Sequence, residues 1–133
     1  MLRRFIAPTI DVSAHCDLPC GVYDPAQARI EAESIKAIIG KVADNDDHDY
    51  RTRAIIIKEQ RSELVKHHLW VLWTDYFKPP HFEKYPQLHT LFNEATKLAG
   101  AAGTKDSMDA AKADQLLAKI DEIADIFAET KKG

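Results

Sequence analysis

The chain has 133 residues, 45% of them apolar and 29% charged, with a formal net charge of -3; that is length enough for one domain able to bury roughly two thirds of its unfolded surface. A charge so small and so mixed in sign argues against nucleic-acid binding. The longest apolar runs, such as Ala54 to Ile57 and Leu69 to Trp73, are four or five residues, which excludes a membrane-spanning helix needing about 20.

Residues 1–14, MLRRFIAPTIDVSA, carry two arginines and end in small residues, as a secretory signal does. The uninterrupted apolar run is only Phe5 to Ala7, where a signal needs about 7 to 15 residues. The segment therefore reads as a cytoplasmic propeptide or a flexible N-terminal arm. The next stretch, His15-Cys16-Asp17-Leu18-Pro19-Cys20-Gly21-Val22-Tyr23, holds both cysteines of the chain. A disulfide between them closes so small a loop that it adds little stability. Two thiolates and an imidazole within six positions, with proline and glycine to set a compact loop, are instead a metal-ligand composition.

Asp24-Pro25 reads as an N-cap and a first helical residue. The helix it opens is marked by Ile30, Ile35, Ile38, Ile39 and Val42 and ends in the polar run Asp44-Asn45-Asp46-Asp47. A second helix spans about Tyr50 to Phe77, with Ala54, Ile57, Leu64, Val65, His68, Leu72 and Tyr76 on one stripe, and stops before Pro79-Pro80. A third begins near Pro86, buries Leu88, Leu91, Phe92, Ala95, Leu98 and Ala99, and ends at Gly100 to Gly103. A fourth runs from about Ser107 with Ala113, Leu116, Leu117, Ile120, Ile123, Ala124 and Phe127 inward. Short connections make these antiparallel neighbours. The expected fold is all-α: an up-and-down antiparallel four-helix bundle over residues 24–133, preceded by a metal-binding hook at residues 15–23. His67, His68, His81 and His89 read as structural, since the Glu-x-x-His pairs of di-iron bundles are absent. Met108, Trp70 and Trp73 read as packing or interface.

The uncut hook offers three donors, one short of a closed tetrahedral zinc site. Cleavage between Ala14 and His15 changes the count. The freed His15 α-amine, the Cys16 amide nitrogen and the Cys16 thiolate then form two fused five-membered chelate rings in one plane, Cys20 fills the fourth corner, and the His15 imidazole reaches an axial position. Planar N₂S₂ suits nickel(II) or copper(II). Thiolate and amidate donors are strongly electron-releasing and bring a nickel(III)/nickel(II) couple into a usable range.

HCDLPCGVY followed by DPAQARIEAES resembles the nickel hook of nickel superoxide dismutases, and the resemblance extends through KEQR (Lys58 to Arg61), KHH (Lys66 to His68), DYFKPPHFEKYP (Asp75 to Pro86) and ETKK (Glu129 to Lys132). It implies a precursor from which a maturation protease removes residues 1–14, a mature domain over residues 15–133, one nickel ion per subunit and a homohexamer of four-helix bundles. The implied reaction is disproportionation of superoxide to dioxygen and hydrogen peroxide by nickel(III)/nickel(II) cycling. By the same resemblance His15, Cys16 and Cys20 are the ligands, Pro19 is the cis proline that turns the hook, and Glu31 and Arg61 orient the axial imidazole. Asp17 and Tyr23 match the hook residues at the substrate approach, with Tyr76 and Lys78 near it. Removing a propeptide of charge +1 (Arg3, Arg4, Asp11) from a chain of -3 leaves -4, so an anionic substrate depends on local positive potential, for which Lys78 is the candidate. A non-catalytic metal carrier or thiol sensor explains the same ligands but not the N-terminal processing. No nucleic-acid or membrane partner is expected, and the expected location is the cytoplasm.

Overall fold

Aspartates start three of the helices. Asp24 Oδ1 accepts the Ala26 N–H (2.8 Å) at the head of α1 (Ala26–Ala43). Asp47 accepts the Tyr50 N–H (2.7 Å) at α2 (His48–Val71), and Asp109 accepts the Ala111 N–H (2.9 Å) at α5 (Ala110–Lys131). Each carboxylate satisfies an amide that has no partner within its own helix. The start of α2 at His48 lies two residues ahead of the expected Tyr50, because Asp47 does not merely close the preceding polar run but caps the next helix. The structure, a computed structural model, describes residues 21–105 and 108–132; the expected start of the last helix at Ser107 lies outside them.

At its far end α2 passes into a π-helical turn, Leu72–Tyr76, in which the Phe77 N–H donates five residues back to the Leu72 carbonyl at 2.9 Å. Lys78, held extended (φ -121°, ψ 166°) as a residue before proline is biased to be, then opens the short α3 (Pro79–Lys84). The prolines do stop α2, as expected, but they also occupy the first positions of a further helix, where a missing N–H costs nothing. That six-residue helix is too short to show a hydrophobic period. α4 (Leu88–Gly100) follows and ends in a second π turn, Ala101–Lys105.

Helices α1, α2, α4 and α5 close a ring in which α1 meets α2 and α5, and α4 meets α2 and α5. This is the expected antiparallel bundle, with α3 as an addition between α2 and α4. Ile35, Val65, Leu69, Leu88, Leu116, Ile120 and Ile123 form its fully buried centre. The inward faces keep the expected period but not every expected residue. Ile30 is 60% exposed and Leu64 38% exposed, while Ala28 and Ala32 on α1 and Lys58 and Ser62 on α2 point inward instead. The polar pair is there for a reason. Ser62 Oγ donates to the Ala99 carbonyl (2.7 Å) and Lys58 Nζ to that of Ala102 (3.4 Å), supplying donors where α4 gives way to its π turn. Burial lowers the pKa of the Lys58 ammonium, with Glu59 opposing the shift. Among the described residues no helix is long and apolar enough to cross a membrane.

Gly103 lies against this polar seam so closely that a methyl group built on it would fall inside the Ser62 side chain. Gly103→Ala is expected to destabilise the fold by about 1–3 kcal/mol, as overpacking does. Gly40→Ala, in open space within α1, should stabilise by about 0.5–1 kcal/mol. Urea unfolding of the two variants checks both signs.

Candidate metal centre

Gly21 has φ +88°, a left-handed conformation that glycine adopts without strain, and it is the residue bonded to Cys20. Two residues on, the Tyr23 ring meets that of Tyr76 (centroids 5.9 Å apart, tilted by 59°), and its hydroxyl oxygen is buried. Tyr76 comes from the π turn and packs on Phe127 of α5 (4.5 Å) and on Phe77 (5.0 Å). Its hydroxyl is 2.7 Å from Thr130 Oγ1, which is itself 2.7 Å from the Phe127 carbonyl. A carbonyl can only accept, so the single threonine proton points there and the Tyr76 O–H is the donor in the other bond.

Gly21, Tyr23, Asp75, Tyr76, Lys78, His81 and Thr130 line one recess of about 380 Å³. Three of the residues expected at the substrate approach, Tyr23, Tyr76 and Lys78, are thus brought together from two stretches of chain. Lys78 is exposed on the rim, and Lys131 Nζ lies 5.2 Å from the Tyr76 ring centroid, close enough for a cation–π contact. Among the described residues Asp75 is the one carboxylate on the recess wall. His81, read from the sequence as structural, also lines it. Its Nδ1 accepts the Lys78 N–H at 3.1 Å, and its pKa is lowered by burial first and then by Lys78 and Lys84. Its position three residues after Lys78, across two prolines that can start a helix, was the signal in the sequence.

Glu31 of α1 and Arg61 of α2, expected as a pair, are joined by a 2.9 Å bond from Arg61 Nη1 to Glu31 Oε2. The Arg61 side chain is 41% exposed, so the pair is worth no more than about 1 kcal/mol to the fold; what it offers is orientation. His68 is half-buried on the same helix as Arg61. Burial pushes its pKa down, His67 adds to that, and the Glu31 carboxylate works the other way.

Ala14, His15, Cys16, Asp17, Pro19 and Cys20 lie outside the described residues, and with them the expected ligands and the expected cleavage site. Among the described residues no group of three or more histidine, cysteine, aspartate or glutamate side chains is arranged to hold a metal ion. The chemistry of the donor set before Gly21, one imidazole and two thiolates, fits nickel, and the chain leaves Cys20 directly into the recess wall at Gly21.

The sequence pattern of the family described as nickel-containing superoxide dismutase matches residues 10–131. The chain is 63% identical over 133 residues to the superoxide dismutase [Ni] of Streptomyces coelicolor and 65% identical over 132 residues to that of Streptomyces seoulensis, covering 99% of both chains in each comparison. A native nickel superoxide dismutase structure superposes with a TM-score of 0.84 at 62% identity, over 90% of this chain and 100% of that one. A structure with nickel ligation of the oxidized state gives the same TM-score at 65% identity, with the same coverage.

The two lowered histidines have a consequence for stability. Below the ordinary histidine pKa of about 6.5 the unfolded chain takes up protons that folded His68 and His81 resist. Stability is therefore complete above that pH and is lost as pH falls. The urea midpoint is expected to drop between pH 7.5 and pH 5, and to drop less in a His68→Gln/His81→Gln variant.

Proposed function

The chain belongs to the nickel-containing superoxide dismutases, and from that premise we propose how its own residues serve the reaction. Superoxide is the substrate and nickel the metal. When bound, nickel supplies the nickel(III)/nickel(II) couple through which two superoxide anions and two protons become dioxygen and hydrogen peroxide. In this reading His15, Cys16 and Cys20 hold the metal, with the α-amine of His15 as a donor, and Pro19 is the cis proline of the hook. The observation that carries the reading is the recess: Gly21, bonded to the last ligand, shares its wall with Tyr23, Tyr76 and Lys78.

Each wall residue has a task that follows from its chemistry. The Lys78 ammonium supplies positive potential to draw an anion toward a subunit of net charge -4, the -3 of the whole chain less the +1 of residues 1–14. The rings of Tyr23 and Tyr76, tilted against each other, narrow the approach and exclude bulk water. Tyr76 spends its proton on Thr130, which leaves its oxygen lone pairs to receive a hydrogen bond from an incoming protonated species. Asp17 takes the remaining hook position at the approach. The Glu31–Arg61 pair orients the His15 imidazole, a role in which fixed direction matters more than pair energy.

The same proposal includes maturation and assembly. A protease removes residues 1–14 between Ala14 and His15, leaving a hook at residues 15–23 ahead of the bundle at residues 24–133, in a cytoplasmic homohexamer. Support for assembly comes from α2, which leaves Ile56 (52%), Leu64 (38%) and Trp70 (45%) exposed around one shallow depression; an apolar patch of this kind marks an interface.

Two experiments test the reading. Chains beginning at His15 and at Ala14 are loaded with nickel and compared for superoxide consumption per bound metal. The form with one extra alanine is expected to be nearly inactive, and equal activity would remove the amine from the donor set. The processed protein is expected to sediment as an assembly several times its chain mass, and Leu64→Arg to shift it toward smaller species; a wild-type monomer would refute the assembly.

A further inference from the structure

The lysine on the recess rim stands on a short helix, and a lysine side chain has enough rotamer freedom to place its charge almost anywhere around its backbone. What confines it must therefore act on the backbone. Lys78 is tied to His81 twice: its N–H donates to His81 Nδ1 (3.1 Å), and its carbonyl accepts the His81 N–H (2.8 Å). The carbonyl also accepts from the Phe82 N–H at 3.2 Å. The imidazole that closes this clamp lies nearly parallel to the Tyr76 ring (centroids 5.9 Å apart, 16°) and edge-on to Phe77 (5.8 Å, 90°). One side chain thus fixes the lysine and backs the tyrosine, the two wall groups that come from either side of the chain's turn into α3.

We propose that His81 is a positioning residue for superoxide dismutation, holding Lys78 and Tyr76 in register at the recess. The inference rests on the reading of the recess as the substrate approach. The clamp needs an unprotonated Nδ1, so the ring carries its proton on Nε2. Burial and the flanking charges of Lys78 and Lys84, which disfavour a second proton on the ring, keep it in that state. An asparagine places an acceptor oxygen where His81 has Nδ1 but lacks the ring; a phenylalanine keeps the ring but lacks the acceptor. The two functions of the side chain are therefore separable.

His81→Asn, His81→Phe and His81→Ala are made in the processed, nickel-loaded protein, and two quantities are measured. Amide hydrogen exchange at Lys78, which does not depend on the metal, is expected to quicken about tenfold in the Phe and Ala variants and to stay near wild type in Asn. The rate constant for superoxide consumption per bound nickel is expected to fall about three- to tenfold in Phe and Ala at low ionic strength, with a flatter salt dependence, and to be largely restored in Asn. Exchange that quickens in His81→Phe while rate and salt dependence stay at wild-type values would overturn the positioning role, as would an Asn variant as impaired as Ala. A wild-type protein that binds nickel but consumes no superoxide would instead overturn the underlying reading of the recess and leave the hydrogen-exchange result standing.

Discussion

Tyr76 joins stretches of chain that are far apart in sequence. Its ring meets Tyr23 from the N-terminal side, Phe77 and His81 around α3, and Phe127 of α5, while its hydroxyl is held by Thr130. Aromatic pairs each contribute about 0.5–1.5 kcal/mol beyond the area they bury, whereas an exposed ion pair contributes about 0–1 kcal/mol. The alignment of the recess therefore depends on ring packing around one tyrosine more than on any salt bridge nearby. The π turn Leu72–Tyr76 makes that packing available, because its i to i+5 bond admits an extra residue at the end of α2, a device often found beside functional sites.

In the proposed function, stability and chemistry occupy different parts of the molecule. Among the described residues the buried centre is apolar apart from Lys58 and Ser62, and both of those donate to carbonyls at the end of α4 and its π turn. No residue of that centre belongs to the proposed donor set, which precedes Gly21. A bundle complete in itself can present a reactive segment at one end without relying on it for folding, in contrast to small metal-dependent domains that fold only when loaded.

Charge is arranged with the same economy. Away from the recess several basic residues are paired: Arg29 with Glu33 and Asp121, Lys36 with Asp114, and Lys119 with Glu94 and Glu122. Lys78 on the rim and Lys131 over Tyr76 sit at the recess proposed as the substrate approach. At physiological ionic strength fields fade over about 8 Å, so two nearby lysines outweigh a net charge spread over the whole surface.

The four long helices and their antiparallel order were legible in the sequence because apolar period, the Asp24 cap and short connections are local properties, and residues such as Asp24, Ile35, Leu116 and Ile120 declare the helices within a turn or two. The proposal that His15, Cys16 and Cys20 hold the metal is local in the same way: three donors within six residues are a composition written in one place. The pairing of Glu31 with Arg61 and the gathering of Tyr23, Tyr76 and Lys78 were suggested only by resemblance. Lys58 and Ser62 facing inward, the helix built on Pro79 and Pro80, and the clamp of His81 on Lys78 were not anticipated. A hydrophobic pattern assigns polar residues to the surface and cannot see the carbonyls at the end of another helix that draw them in. What the sequence by itself determined was each of the four long helices and the composition of the segment proposed to hold the metal, both set by neighbours along the chain; which helix ends meet, and which side chains share the recess, only the tertiary structure decided, because those contacts join residues dozens of positions apart whose energies exist only once the bundle has closed.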